Sequence, residues 1–166
     1  MKTVLAAALA LLGATQDADN PQFKYWSGCK PGSWVKMTMS METAGQKVEG
    51  EMTYKLVELK GDLATVEVTG KSKVGAQEYP IPAQKQEIKA KEPADKVKIE
   101  KEGDEEIAVA GKKLKCHWFE FTSKGSDKKN KAWMSMDIPG GMAKGEMALA
   151  GGDKLMTLTA VEWEKK

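Results

Sequence analysis

Apolar and polar residues alternate with a period of two along most of this chain, and that period predicts β-strands. In residues 34–42 (WVKMTMSME), Val35, Met37, Met39 and Met41 fall on one side, and Lys36, Thr38 and Ser40 on the other. Thr43 to Gln46 turns the chain, after which Val48, Gly50, Met52, Tyr54 and Leu56 alternate with Glu49, Glu51, Thr53 and Lys55. Lys60-Gly61-Asp62 makes a tight turn, and Ala64, Val66 and Val68 continue the alternation. These three segments read as a meander.

The middle of the chain follows the pattern less closely. Tyr79-Pro80-Ile81-Pro82 reads as a break, because proline has no N–H to give a ladder. Residues 85–106 are dense in mixed charge and read as a solvated face, with Val97 and Ile99 alternating as a one-sided strand. Beyond them, residues 106–109 and 113–122 flank Ala110-Gly111-Lys112 as a hairpin. Residues 131–137 follow, then a break at Ile138-Pro139-Gly140-Gly141, and residues 142–150 pair with 154–163 around Gly151-Gly152-Asp153. The expected fold is all-β: an antiparallel meander of about nine or ten strands in a curved half-barrel or sandwich.

The N-terminus has a different pattern. Val4–Leu12 is nine apolar residues behind Lys2. That is too short to span a bilayer but right for a secretory signal, with small residues at Gly13, Ala14 and Ala18 to receive the cut. The expected organisation is a signal peptide over 1–18, an irregular entry segment over 19–32 in which Phe23, Tyr25 and Trp26 fit one helical turn, and a single β domain over 33–166. The location this implies is secreted or periplasmic. Nothing after the signal is apolar enough to span a membrane.

Composition narrows the chemistry. The net charge is +2, and all 26 basic residues are lysine. Without arginine there is no bidentate fork for phosphates, which argues against nucleotide and nucleic-acid recognition. Cys29 and Cys116 are the only cysteines. An even pair in an exported chain predicts a disulfide, with two separate buried thiols as the other reading.

Catalytic patterns are hard to find. His117 is the only histidine, and its neighbour Cys116 points to the opposite face of a strand, so the two do not form a dyad. Gly70-Lys71-Ser72 lacks the upstream glycine of a phosphate loop and reads as a turn. The pair Glu105-Glu106 is adjacent and solvated. Neither an enzyme activity nor a cofactor is expected. The Met37-x-Met39-x-Met41 spacing would suit Cu(I), whose soft ligands include thioethers, but it also makes an apolar stripe of adaptable side chains.

One resemblance rests on particular residues. Gly111-x-x-Leu114-x-Cys116-x-Trp118, then Trp133-x-Ser135-x-Asp137-Ile138-Pro139-Gly140-Gly141-x-x-Lys144, with Lys30-Pro31-Gly32-Ser33-Trp34-Val35 upstream, resembles a group of uncharacterised bacterial secreted proteins. More distantly, the layout resembles the LolA/LppX-like half-barrels, which carry lipids or lipoproteins across the periplasm. Those carriers use an arginine in the cavity, and this chain has none.

The expected function is non-catalytic binding of a lipid or other apolar small molecule. Val35, Met37, Met39, Met41, Met52, Tyr54 and Leu56 are the expected cavity lining, and no metal site is assigned. The alternative is a structural or protein-interaction module of the envelope with a solid core. Copper binding through methionine is a minor alternative.

Overall fold

The computed structural model describes residues 19–43, 46–91, 98–122, 128–148 and 155–166. The expected signal peptide lies outside the described residues. Among the described residues the elements are a helix α1 (Pro21–Ser27) and nine strands: β1 (Trp34–Thr43), β2 (Gln46–Lys60), β3 (Leu63–Val74), β4 (Gln77–Lys89), β5 (Lys98–Val109), β6 (Lys112–Thr122), β7 (Lys129–Met134), β8 (Met142–Ala148) and β9 (Leu155–Glu164). All belong to one antiparallel sheet in the order β4-β3-β2-β1-β9-β8-β7-β6-β5. Two meanders, β1–β4 and β5–β9, therefore join where the first strand pairs with the last. The all-β antiparallel class is as the alternation implied. Among the described residues the nine strands form one open, uncurled sheet with β4 and β5 as its edges, neither a sandwich nor a curled half-barrel.

Register shows why the core holds. Met37 stands between Met52 of β2 and Ala160 of β9, and Met39 between Gly50 and Leu158. Met41 stands between Val48 and Met156, and Met156 in turn faces Met147 of β8. Residues in register share a face, so the methionines of β1 lie in apolar rows, Met37 and Met39 each with one small partner, Ala160 and Gly50. A Cβ at Gly50 would come within 2.9 Å of the Met39 methyl, so the glycine leaves the room that Met39 fills. Flexible, unbranched thioether chains fill such irregular gaps well.

The entry segment is not irregular throughout. Asn20 caps α1, its side chain accepting from the Gln22 N–H at 2.9 Å, and Pro21 occupies the first turn, where a missing N–H costs nothing. Trp26 and Tyr25 lie against Gly140 and Gly141 of the β7–β8 loop, whose φ values of +75° and +84° suit glycine. Ile138 and Pro139 of that loop are buried. Trp133, just before it, is 7% exposed.

Two breaks read from the sequence are not breaks. β4 continues past Pro80 and Pro82, with a shift of register against β3 between Ile81 and Gln84, which is possible because β4 is an edge strand and needs ladder donors on one side only. Gly70-Lys71-Ser72 is the middle of β3 rather than a turn: Gly70 stands opposite Met52, and a side chain there would run into the Glu51 carbonyl. The glycine marks a close approach of backbones within the sheet.

Candidate functional site

Six of the seven residues expected to line an apolar cavity are buried: Val35, Met37, Met39, Met52, Tyr54 and Leu56 are each 5% exposed or less. Met41 is half-buried against them. They pack with one another, and the Tyr54 hydroxyl donates to the Met52 sulfur at 3.5 Å. Burial raises the Tyr54 phenol well above its ordinary value. Met39 borders a cavity of 440 Å³ at the far ends of β1–β4. The rest of its wall is largely charged: Lys47, Lys71, Lys73, Glu49, Glu51 and Glu78. Lys47 pairs with Glu49 at 2.7 Å and holds that carboxyl below its usual range, while Lys71 approaches Glu78 at 3.8 Å.

The larger cavity, 620 Å³, lies at the other end of the sheet between the β5–β6 hairpin, the β7–β8 loop and Tyr25 of α1. The hairpin supplies Asp104, Glu105, Glu106, Lys115, Cys116 and His117, and the loop supplies Ser135, Met136 and Asp137 after Met134. The hairpin register places Asp104 opposite His117 and Glu105 opposite Cys116. The His117 ring lies 2.7 Å from Asp104 through Nδ1 and 3.5 Å from Glu102 through Nε2, and it packs edge-on against Phe119. The hydrogen bond to Asp104 raises the imidazole above its ordinary value against a smaller opposing effect of burial, with Glu102 adding to the rise.

Other carboxylates of the cavity are partly engaged. Glu105 accepts a hydrogen bond from the Trp133 indole, and Lys131 lies 4.0 Å away. Lys131 itself is stacked between two indoles, 4.2 Å from Trp118 and 4.7 Å from Trp133. Glu106 faces Lys113 at 3.5 Å. The loop is braced by Lys165, whose ammonium donates to the Met136 carbonyl at 2.7 Å, and by the Asp137 N–H on the Ser135 hydroxyl. Met136 is left 48% exposed beside the acidic groups.

Cys29 and Cys116, expected as a disulfide, are both free and buried in this structure. The Cys29 thiol donates to the Tyr25 carbonyl at 3.3 Å. Burial pushes Cys116 up to about 11, with Glu105 and Asp137 adding to the rise, and burial also raises Cys29. Among the described residues, no group of three or more His, Cys, Asp and Glu side chains is placed to hold a metal ion. No helix of the described residues is long and apolar enough to cross a membrane.

The sequence reading passed over Asp104, Glu105 and Glu106 as part of a solvated run, and it placed Met136 and Asp137 at the end of a strand that in fact stops at Met134. A signal for the first group was present. Counting back in step from the Ala110-Gly111 turn sets His117 against Asp104.

No protein-family model matches the chain, and no curated protein matches it. Among solved structures, a chain of the crystal structure of MucB in complex with MucA(peri) is similar with a TM-score of 0.46 and 10% identity, over 87% of this chain and 56% of that one. This chain thus spans little more than half the length of that neighbour. A likeness of this size assigns neither family nor partner.

Proposed function

We infer that this is an exported, non-catalytic protein that works in the periplasm or outside the cell by binding another protein of the envelope. The apolar run at Val4–Leu12 behind Lys2 supports export. The observation that carries the binding reading is how the two faces of chemistry are distributed. The apolar residues that would hold a lipid are buried in one cluster, and the 440 and 620 Å³ cavities are each ringed by charged residues over partly apolar surface. Acyl chains need continuous apolar lining, whereas charged walls with a few apolar spots suit a polypeptide.

A second reading, carriage of an apolar ligand, is favoured by one observation: Met39 borders the 440 Å³ cavity. Native mass spectrometry of the protein purified from its own host separates the two. The protein-binding reading expects the mass of the bare chain, with in-cell cross-linking giving a discrete protein adduct. A stoichiometric lipid on the native protein would overturn it in favour of carriage.

A further inference from the structure

The two edges of the sheet are protected by different means, and the difference points to a docking edge. Every open sheet edge presents unpaired backbone groups on which another strand can add. On β4, Pro80 and Pro82 both lack an N–H, and Pro82 falls where the pairing with β3 shifts register between Ile81 and Gln84. Prolines and bulges both spoil an edge as a template, so β4 is blunted against a partner strand. β5 contains no proline. From Ile99 to Val109 it carries five acidic residues, Glu100, Glu102, Asp104, Glu105 and Glu106, against one lysine, Lys101. All of these residues but Gly103, Ile107 and Val109 are exposed.

A missing donor excludes every strand, but a row of charge excludes only like charge. Two copies of β5 repel each other, and β4 of a second copy lacks the donors to pair well, so the chain itself is a poor occupant. An extended basic segment meets no such barrier. It gains main-chain hydrogen bonds along the strand and ion pairs along the side chains. Three of the five acids are paired with lysines of β6 and β7, Glu100 with Lys129, Glu105 with Lys131 and Glu106 with Lys113, while Glu102 and Asp104 share the single His117 and are the least compensated. Exposed Ile99 adds an apolar contact at the start of the edge. Asp104, Glu105 and Glu106 belong both to this strand and to the wall of the 620 Å³ cavity, so a partner on the edge lies beside a recess able to take its side chains.

We propose that β5 is a docking edge that takes an extended, lysine- or arginine-rich segment of a partner protein by strand addition. This rests on the protein-binding reading and names the partner's chemistry. The test uses the full chain and a fluorescein-labelled ten-residue peptide of alternating lysine and valine. A control peptide has proline in place of every valine, which keeps the charge and removes alternate N–H groups. The proposal expects anisotropy to report binding of the first peptide at least ten-fold tighter than the control. It expects new hydrogen-exchange protection at amides 99–109, and at least ten-fold weaker binding by the Glu102→Lys/Asp104→Lys variant.

Binding of both peptides within about three-fold of each other would mean that charge alone acts, and would overturn strand addition. Protection on β4 instead, or no binding of the first peptide, would overturn it as well. Cross-links from the protein in its own host separate this failure from that of the underlying reading. Adducts mapping to another surface sink the edge alone, whereas a bound lipid with no protein adduct sinks both.

Discussion

Gly140 and Gly141 show what a single residue does here. Their φ values of +75° and +84° lie in the left-handed region, and a Cβ would press on the ring of Trp26 at one and of Tyr25 at the other. Left-handed backbone costs an ordinary residue about 1–2 kcal/mol, and overpacking a buried contact adds about 1–3. Gly140→Ala and Gly141→Ala are therefore expected to lose about 2–5 kcal/mol each in urea unfolding. Gly61→Ala is the control: its φ is +52° but nothing lies within 4 Å, so only the backbone term of about 1 kcal/mol applies. Equal losses at the three positions would show that α1 does not pack on the loop as described. Cys116 gives a second test at this scale. With the thiol pushed up to about 11 by burial, its reactive thiolate is scarce at neutral pH. Alkylation of Cys116 in the native protein at pH 8 is expected to be at least a hundred-fold slower than in urea, as followed by mass spectrometry. Fast native labelling would contradict its burial.

At the scale of elements, the glycines inside strands are not equivalent. At Gly50 the nearest obstacle to a Cβ is the end of the flexible Met39 chain, but at Gly70 it is the backbone of β2. A methyl end can swing aside and a paired backbone cannot, so Gly70→Ala is expected to cost about 2–3 kcal/mol more than Gly50→Ala. A Gly70→Ala protein as stable as Gly50→Ala would place the β2–β3 contact wrongly. The β5–β6 hairpin carries a prediction in pH. The folded-state value of His117 is raised by Asp104 and Glu102, so its contribution to stability is fully present below the unfolded value of about 6.5. It is lost as pH rises through the raised folded value. The urea midpoint of the wild type, relative to that of His117→Gln, is expected to fall across that window. A constant difference would mean that the imidazole gains nothing from its two carboxylates.

These elements also show where sequence was and was not legible. β1, β2 and β6 could be read because each has one buried face and a short turn, so the period of two survives in the residues, whereas β5, nearly all exposed, was read as a strand only at its ends. β4 was misread because Pro80 and Pro82 are fatal to a strand with two neighbours and harmless to one at an edge, and edge position depends on the whole topology. The larger cavity was not legible for the same reason. Its β7–β8 loop and α1 are brought to the hairpin by the pairing of β9 with β1, which no local pattern announces.

For the whole molecule, the question is whether the apolar face is filled by its own residues or kept open for a ligand, and Met39 is where the readings part. It is 2% exposed, it fills the space left by Gly50, and it borders the 440 Å³ cavity. Met39→Leu conserves volume and is expected to cost less than about 1.5 kcal/mol. Met39→Lys places a charge where the register offers only Gly50 and Leu158 opposite, and is expected to lower stability by several kcal/mol. If the face is solid, neither the wild type nor Met39→Leu takes up a fluorescent fatty acid, and binding of the alternating lysine–valine peptide is the same in both. If the face carries an acyl chain, the wild type and Met39→Leu both bind the fatty acid. If the three methionines of β1 hold Cu(I), Met39→Leu loses a sulfur ligand and its Cu(I) affinity falls while its stability does not. Fatty-acid titration, Cu(I) competition and urea unfolding on the same two variants therefore separate the three uses of one stripe, and the protein-binding reading survives only the first outcome.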